Sequence, residues 1–314
     1  MDQIPQRNTL TEAAARIAPY VHRTPVLTSS AIDALLGAKF FFKCENFQKI
    51  GAFKIRGATN AILQIPKADL AKGVCTHSSG NHAQAVALAG RQQGAPAYIV
   101  MPENAPEVKK AAVAGYGAEI TFCTPTLAAR ESTTEAVIAR TGATFLHPYD
   151  NYKIIAGQAS ATMELLEEQE LDWVLTPVGG GGLLAGACLA AKYFAPSTKV
   201  YGTEPAGADD AYQSFQTGKH VPSVSPNTIA DGLLTSVGKR NYGILKEELA
   251  DIVICSEEEI VAAMRLMWER MKIVIEPSAA VPLACIMSGK MDYQGKRIGI
   301  VISGGNVDLG KLPF

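Results

Sequence analysis

Residues 174–185 read VLTPVGGGGLLA, and this stretch decides the fold class. An apolar run at 174–178 is typical of a buried strand, four glycines follow at once, and an apolar helical pattern begins at Leu183. A strand that ends in glycines and continues into a helix predicts one unit of a parallel α/β sheet. Glycine lets the backbone approach a ligand closely, so the amides at this helix start are predicted to bind a phosphate.

Short apolar runs of the same kind alternate with amphipathic helical patterns along the rest of the chain. The runs lie at 40–42, 74–77, 98–101, 120–122, 173–175, 200–202, 252–254 and 298–302. This alternation predicts an α/β fold with mostly parallel sheets and helices on both faces. Ser256 and Glu259 form a capping box before a helix whose methionines, Met264, Met267 and Met271, are predicted to lie in the core.

Length and charge limit the number of domains and the kinds of partner that the chain can have. A chain of 314 residues predicts two domains, and a net charge of −1 without basic clusters excludes nucleic acid and anionic membranes as partners. The start of the chain lacks a basic and apolar leader, so we expect a cytoplasmic protein. Its six cysteines form no Cys-x-x-Cys pair, which favours buried, reduced thiols over disulfides or a zinc site.

Two more strands are predicted to end in polar loops. The run at 74–77 leads into Ser78, Ser79, Gly80, Asn81 and His82, and the run at 298–302 leads into Ser303. Ligands bind at the carboxyl ends of parallel strands, and the first loop, at a helix start, suits a carboxylate. An ordinary polar turn with a helix cap remains an alternative for the first loop, and a turn cap remains one for Ser303.

The glycine run also has a rival interpretation. Residues 180–185 fit the dinucleotide pattern G-x-G-x-x-A, and Glu204 follows about twenty residues later, where a ribose-binding acid would lie. A nicotinamide-dependent dehydrogenase therefore stays open. It leaves the other two strand-end loops unexplained.

A lysine completes the predicted site. Lys54 lies between Phe53 and Ile55, and apolar surroundings would lower its pKa and make the amine nucleophilic. A carboxylate loop, a phosphate loop, a hydroxyl and a reactive lysine together describe a site for an amino acid joined to a phosphorylated aromatic cofactor.

With these motifs, the chain resembles the fold type II pyridoxal-phosphate enzymes, which are tryptophan synthase β-like. Within them it is similar to the branch of serine racemase, threonine (serine) dehydratase and threo-3-hydroxyaspartate dehydratase. The likeness extends from residue 24 to residue 309, and its motifs are the segments 42–48, 53–54, 78–82, 179–182, 204–210 and 303–306. It therefore covers nearly the whole chain.

The resemblance implies a role for each residue of the predicted loops. For the cofactor, Lys54 forms the Schiff base, Phe53 packs on the ring, Asn81 bonds the phenolic oxygen, Gly179, Gly180, Gly181 and Gly182 hold the phosphate, and Ser303 faces the pyridine nitrogen. For the substrate carboxylate, the implied ligands are Ser78, Asn81 and His82, with Arg130 as a candidate from the opposite wall.

The resemblance also implies a metal site and an assembly. Glu204, the carbonyl of Ala208 and Asp210 match the divalent-cation site of the serine racemases, and such oxygen ligands suit Mg²⁺ or Ca²⁺. The implied architecture is a large cofactor-binding domain at 1–49 and 146–314 and a small mobile domain at 50–145, usually in a homodimer. Animal serine racemases bind ATP between subunits, which makes ATP a candidate ligand.

The implied reaction takes place at Cα of a small β-hydroxy amino acid. Lys54 is predicted to act as the base on one face and Ser79 on the other, giving racemisation of serine or dehydration of L-serine and L-threonine to a 2-oxo acid and ammonia. The alternative is threo-3-hydroxyaspartate dehydration to oxaloacetate, which segments 276–278 and 309–313 favour by resemblance. A non-catalytic amino acid sensor is the remote alternative outside enzymes.

Two positions depart from the family pattern. Ala52 stands where serine commonly precedes Phe-Lys, and Ala159-Ser160 stands where Gly-Thr is usual. We expect each departure to alter the pocket.

Overall fold

The computed structural model describes residues 3–314, which form two β-sheets with helices packed around them. The strands are β1 Val26–Leu27, β2 Lys39–Cys44, β3 Val74–His77, β4 Ala97–Pro102, β5 Glu119–Cys123, β6 Thr144–Phe145, β7 Trp173–Pro177, β8 Lys199–Pro205, β9 Asp251–Cys255 and β10 Arg297–Ile302. The helices are α1 Arg7–Ile17, α2 Ser30–Leu36, α3 Lys54–Ile62, α4 Lys67–Leu70, α5 Asn81–Gln92, α6 Glu107–Gly115, α7 Leu127–Thr141, α8 Tyr152–Glu168, α9 Gly182–Phe194, α10 Asp210–Thr217, α11 Lys239–Glu248, α12 Glu257–Met271 and α13 Pro277–Met287.

The larger sheet has six strands in the order β1-β2-β10-β7-β8-β9. Its pairs are parallel except for β1 with β2. The central strand β10 pairs with both β2 and β7, so its end at Ile302 lies between the ends of those strands. The loops that follow β7 and β10 therefore meet at one edge of the sheet, as the sequence predicts for ligand-binding loops.

The smaller sheet has four parallel strands in the order β5-β4-β3-β6. All of its strands fall inside the stretch 50–145 that the sequence predicts as a small domain. The first two residues of the predicted segment 1–49 lie outside the described residues. The predicted α/β class with mainly parallel sheets is confirmed.

Apolar helix faces cover both sides of the six-stranded sheet. One core cluster includes α8 and α9, and a second includes α12 and α13. The predicted capping box is present, because the Ser256 side chain accepts from the amide of Glu259 while the Glu259 side chain accepts from that of Ser256. Met264 and Met267 are fully buried in the second cluster, and Met271 packs against it.

Helices α3 and α8 approach each other closely at two glycines. A Cβ added to Gly157 would lie 2.7 Å from Cα of Gly57, so a larger residue would force the helices apart. The contact matters for the site because α3 begins at Lys54 and α8 follows the segment 147–151.

Two further predictions concern cysteines and membranes. All six cysteines are free and buried, as the sequence predicts. Within residues 3–314, no helix is both long and apolar enough to cross a bilayer.

Candidate active site

A cavity of about 880 Å³ lies where the strand ends of the two sheets meet. It brings together the three predicted strand-end loops and the predicted lysine, since its lining includes the segment 78–82, the glycines 179–182, Ser303 and Lys54. Phe53 and Arg130 also line it. Residues that are far apart in the chain therefore share one pocket, which is the arrangement that the sequence predicts.

Lys54 occupies the first position of α3 and extends its amine into the cavity. Its Nζ donates to the backbone oxygen of Pro148 at 3.3 Å and lies 5.2 Å from the centre of the Phe53 ring. Burial lowers the pKa of Lys54 from 10.5 to about 8, and the nearby carboxylate of Glu276 limits this fall. About a tenth of the amine is therefore neutral, and nucleophilic, at pH 7.

The loop 78–82 forms another part of the wall and leads into α5. The His82 ring is buried, and neither of its nitrogens has a hydrogen-bond partner with good geometry. Burial lowers the pKa of His82 well below its ordinary value, so this imidazole is neutral. Ser78 Oγ accepts from the amide of Gly80 at 3.3 Å, while Ser79 lines the cavity. An unsatisfied imidazole, two hydroxyls and a helix amino end suit a carboxylate.

The glycine run precedes α9, and its geometry requires glycine at two positions. Gly181 has a φ of 86°, which side chains other than glycine rarely adopt. A Cβ on Gly180 would collide with the ring of Tyr149, which lies directly on the Gly180 backbone. The carbonyl of Gly180 is held by the amide of Gly238 at 3.0 Å and by Asn241 Nδ2 at 2.5 Å. The loop is therefore a fixed cradle at a helix start, and not a flexible linker.

Ser303 follows β10 and is buried at the cavity. Its carbonyl accepts from the amide of Phe53 at 3.0 Å, so the end of β10 is tied to the residue before Lys54. Its hydroxyl is buried and makes no hydrogen bond with residues 3–314. A buried hydroxyl without a protein partner at a cavity wall indicates a partner in a ligand.

Glu276 is a cavity residue to which the sequence analysis gives no role. It caps the start of α13, and both of its carboxylate oxygens accept from Asn81 Nδ2, at 3.0 and 3.1 Å. Burial, and then repulsion from Asp231, raises the pKa of Glu276 to about 7. Asn306 Nδ2 donates to Asn81 Oδ1 at 2.8 Å, so the predicted cofactor ligand Asn81 is fixed from both sides. The only signal in the sequence is the Glu-Pro pair that opens a helix.

The sequence analysis also gives no role to the segment 147–150, three of whose residues line the cavity. The rings of His147 and Tyr149 meet edge to face with centroids 4.7 Å apart, and both residues line the cavity. His147 Nδ1 accepts from the amides of Tyr149 and Asp150, at 3.3 and 2.9 Å. Burial lowers the pKa of His147 to about 4, so the ring is neutral and serves as an acceptor.

The predicted metal ligands Glu204 and Asp210 lie near each other, at the end of β8 and at the start of α10, with Ala208 in the turn between these elements. Glu204 is buried and accepts from the amides of Ala211 and Tyr212, at 3.2 and 2.7 Å. Asp210 Oδ2 accepts from the amide of Val237 at 2.8 Å, whereas its Oδ1 is buried without a partner in the described chain. Burial raises the pKa of Glu204 well above its ordinary range and that of Asp210 to about 6. Two buried acids with an unsatisfied oxygen are the setting that a hard cation would relieve.

The two departures from the family pattern do not line the cavity. Ala52 is buried and forms a single bridge with Gly304 beside β10. Ser160 Oγ accepts from Arg56 Nη1 at 3.1 Å and donates to the carbonyl of Gly157 at 2.7 Å, in the interior between α3 and α8. Both positions therefore lie in the packing behind the cavity, and their effect on the pocket stays a prediction.

The chain is similar to known proteins along nearly its whole length. The family model described as "Pyridoxal-phosphate dependent enzyme" matches residues 17–304. The chain is 51% identical over 309 residues to a serine racemase of Dictyostelium discoideum, which covers 96% of this chain and 94% of the relative. It is 47% identical over 312 residues to a beta-hydroxyaspartate dehydratase of Paracoccus denitrificans, with 99% of each chain covered. The solved structure of maize serine racemase superposes with a TM-score of 0.96 at 44% identity, covering 98% of this chain and 95% of that one.

Proposed function

The chain belongs to the pyridoxal-phosphate-dependent enzymes, and on that premise we propose that it acts at Cα of small β-hydroxy amino acids. The reactions are racemisation of serine and dehydration of L-serine or L-threonine to a 2-oxo acid and ammonia. The observation that carries this proposal is the Lys54 amine, whose pKa burial lowers to about 8, in one cavity with the three strand-end loops.

The cavity residues fit the cofactor. The buried, unpartnered hydroxyl of Ser303 suits a pyridine nitrogen, and the fixed glycine cradle before α9 suits a phosphate. Lys54 would hold the aldehyde carbon, Phe53 would pack on the ring and Asn81 would bond the phenolic oxygen. When bound, pyridoxal phosphate withdraws the electron pair that remains at Cα after the proton leaves.

The protein's own residues bind the substrate and move its proton. Ser78, Asn81 and His82 hold the substrate carboxylate at the start of α5, which fixes the Cα–H bond relative to Lys54. Neutral Lys54 Nζ takes the α-proton on one face, since its lowered pKa lies close to neutral pH. Ser79 Oγ delivers a proton on the other face, which yields the opposite enantiomer. Loss of the β-hydroxyl without reprotonation gives dehydration.

A product assay tests this proposal. Purified holoenzyme is incubated with L-serine, L-threonine and L-threo-3-hydroxyaspartate, and 2-oxo acid, ammonia and the chirality of residual substrate are measured. We expect 2-oxo acid with equimolar ammonia from at least one substrate, and D-serine from L-serine. Absence of turnover with all three, in protein that retains its visible cofactor band, would instead indicate a non-catalytic binding protein.

Dehydration of threo-3-hydroxyaspartate is the second candidate. Arg130 lines the cavity and forms no ion pair with residues 3–314, so its guanidinium is available to an acidic substrate. The Paracoccus relative carries this activity in its name. A higher kcat/KM for hydroxyaspartate than for L-serine in the same assay would favour this candidate.

We also propose that Glu204, the carbonyl of Ala208 and Asp210 bind Mg²⁺ or Ca²⁺. The buried, unpartnered Oδ1 of Asp210 supports a cation there. Chelation is expected to lower the Tm by several degrees, and added Ca²⁺ or Mg²⁺ to restore it, because the two buried carboxylates lose their counter-ion. Asp210→Asn should abolish the response, and an unchanged Tm after chelation in the wild type would contradict the site.

The remaining proposals concern assembly and location. We propose a cytoplasmic homodimer with a small domain at 50–145, and ATP as a candidate ligand between subunits. Light scattering after size-exclusion chromatography tests the dimer, and calorimetric titration with ATP tests the nucleotide.

A further inference from the structure

Glu276 lies in the cavity wall, and the proposed reaction gives it no role. It is buried, and its amide donates to the carbonyl of Gly304 at 3.1 Å. A Cβ added to Gly304 would lie 2.8 Å from Glu276 Oε1, so the carboxylate lies directly on the backbone that follows Ser303. Burying an acid costs free energy, so an acid at this place indicates a function in the site.

The carboxylate of Glu276 engages one half of the Asn81 amide. Both of its oxygens accept from Asn81 Nδ2, at 3.0 and 3.1 Å. The two hydrogens of an amide nitrogen diverge, whereas the two oxygens of a carboxylate lie close together, so a single hydrogen serves both oxygens. The second hydrogen of Asn81 Nδ2 has no acceptor within residues 3–314, and Asn81 lines the cavity, which favours a ligand atom as its acceptor.

Asn306 fixes the other half of the Asn81 amide. Its Nδ2 donates to the carbonyl of Ile50 at 2.7 Å and to Asn81 Oδ1 at 2.8 Å. A backbone carbonyl can only accept, so Asn306 must turn its nitrogen to this side and Asn81 must turn its oxygen to Asn306. A carboxylate also only accepts, so Glu276 takes the nitrogen of Asn81. The two neighbours therefore allow only one orientation of the Asn81 amide.

The backbone at Ile50 is strained beside this network. Ile50 has a φ of 61°, which a β-branched residue rarely adopts. Strained residues persist where surrounding contacts hold them, and the bond from Asn306 to the Ile50 carbonyl is such a contact. The chain continues from Ile50 to Phe53 and Lys54. One side chain, Asn306, thus holds both the approach to the reactive lysine and the amide of Asn81.

The charge of Glu276 sets the pH at which this network can be tested. Burial, and then repulsion from Asp231, raises the pKa of Glu276 to about 7, while the bond from Asn81 and the charge of Lys109 oppose the rise. Lys54 is a further charged group that acts on this carboxyl. At about pH 8 the carboxylate form predominates, and it accepts from Asn81 without donating.

We propose that Glu276 is a positioning residue that, together with Asn306, directs the free N–H of Asn81 to the phenolic oxygen of the cofactor. The phenolic oxygen then stays ionised, and the proton that it could share with the lysine-bound nitrogen stays on that nitrogen. This inference rests on the proposed function, in which Asn81 bonds the phenolic oxygen. It holds for any substrate, because no substrate atom takes part.

The absorbance of holoenzyme without substrate tests the proposal. The lysine-bound cofactor absorbs in the visible when its phenolic oxygen is ionised, and in the near ultraviolet when that oxygen carries the proton. The ratio of the two bands is measured at about pH 8. Cofactor released by alkali gives the total that was bound, so a lost band is not mistaken for lost cofactor.

Two substitutions of Glu276 separate its acceptor oxygens from its charge. Glu276→Met removes both oxygens at a similar side-chain volume, and it should lower the visible-to-ultraviolet ratio about tenfold, because a hydrogen bond to a charged oxygen is misdirected. Glu276→Gln removes the charge but keeps one acceptor oxygen for Asn81 Nδ2. We expect it to keep the ratio within about threefold of the wild type.

Asn306→Ala provides an independent variant, which keeps the test decisive if Glu276→Met does not fold. It removes the donor to Asn81 Oδ1, leaves Glu276 in place and should also lower the ratio. Glu135→Met is the matched control. Glu135 also lines the cavity but makes no hydrogen bond to Asn81 in the described chain, so the ratio should not change.

Two results would overturn the inference. One is an unchanged ratio in Glu276→Met at full cofactor content. The other is an equal fall in Glu276→Gln and Glu276→Met, which would assign the effect to charge and not to the orientation of Asn81.

Asn81→Ala distinguishes failure of the inference from failure of the proposed contact. It should lower the ratio at least as far as Glu276→Met, and an unchanged ratio would reject the contact of Asn81 with the phenolic oxygen and the inference with it. Failure of the proposed reaction looks different, since no hydroxy amino acid would then be converted even though the ratio responded to Glu276→Met. The two ideas therefore fail separately.

Discussion

Lys54 shows how a single residue acquires reactivity from its surroundings. Its pKa is lowered to about 8, mainly by burial. The neutral amine fraction then rises about tenfold between pH 7 and pH 9 and levels off above it, whereas an ordinary lysine would keep gaining up to about pH 10.4. We expect the rate at which apo-protein captures pyridoxal phosphate, measured by its visible band, to follow this curve.

The control for this experiment is Lys54→Ala, which reports the slow background reaction of exposed lysines. We expect that variant to develop no stable visible band. A capture rate in the wild type that continues to climb in proportion to hydroxide through pH 10 would show that Lys54 titrates like a solvated lysine.

Ser79 provides the second prediction at this scale. If its hydroxyl serves the face opposite Lys54, Ser79→Ala should reduce formation of D-serine from L-serine by at least about 10²-fold, the usual contribution of a general acid or base. Dehydration of L-serine needs only Lys54 and should stay within about threefold. Chiral chromatography and a 2-oxo acid assay measure the two products, and Ser78→Ala, which weakens carboxylate binding, should raise KM for both. Equal loss of both activities in Ser79→Ala would reject the two-base assignment.

Sequence reasoning finds some site residues and misses others for a physical reason. Ser303 precedes two glycines at a predicted strand end, and Lys54 lies between two apolar residues, so local patterns mark both. Tyr149 and Glu276 reach the cavity only because the chain folds, and apart from the Glu-Pro pair at the start of α13 no neighbouring pattern distinguishes them. The pKa of Glu276, about 7, depends first on its burial and then on repulsion from Asp231, and the sequence shows neither.

At the scale of secondary-structure elements, α3 is anchored by a buried ionic network. Arg56 donates to Glu45 at 2.7 and 2.8 Å and to Glu164 at 2.7 and 2.9 Å. Lys43 Nζ also reaches Glu164, at 2.7 Å. Burial of Glu45 raises its pKa, but the Arg56 guanidinium outweighs this and holds the pKa below its ordinary range. The network ties β2 and α8 to the helix that begins at Lys54.

Removing the guanidinium should therefore destabilise the fold strongly. Arg56→Met leaves two carboxylates without their main partner, and breaking a buried pair costs about 3–5 kcal/mol of the free energy of unfolding. Arg23→Met is the control, because Arg23 is 53% exposed and pairs with Glu167 and Glu168, and it should cost about 1 kcal/mol or less. Urea unfolding measures both, and similar losses for the two variants would contradict the role of the network.

Strands and helices can be predicted from the sequence only where they are long enough to show a pattern. Strands of four or more residues, such as β10, produce an apolar run that the sequence reveals. The strands β1 and β6 have two residues each, too few for a pattern, and only their pairing with β2 and β3 defines them. The close packing of α3 on α8 is likewise invisible until Gly57 and Gly157 are seen in contact.

At the scale of the whole molecule, the cavity is lined by residues that follow strands of both sheets. An ion pair links the part of the lining next to the smaller sheet with the part next to the larger sheet. Lys109 of α6 lies over the loop 78–82 and pairs with Asp231, which lies in the short 3₁₀ helix after the long connection at 218–230. Lys109 is buried, while the Asp231 side chain is 45% exposed. Because α6 flanks the four-stranded sheet and Asp231 belongs to the other part of the chain, this pair links the two sides of the cavity.

Asp231→Asn should then weaken substrate binding without harming the fold. A partly exposed ion pair contributes about 1 kcal/mol at most, so we expect KM to rise about fivefold and the Tm to fall by about 3 °C or less, with kcat within about twofold. Glu107→Gln removes the Lys110 pair on the same helix, outside the cavity, and should leave KM unchanged. Asp231→Asn should also lower the pKa of Glu276, because Asp231 helps to raise that pKa. Any acidic limb of the kcat/KM profile that depends on Glu276 should therefore shift to lower pH. An unaltered KM together with an unaltered pH profile would show that the pair neither closes the cavity nor tunes its buried acid.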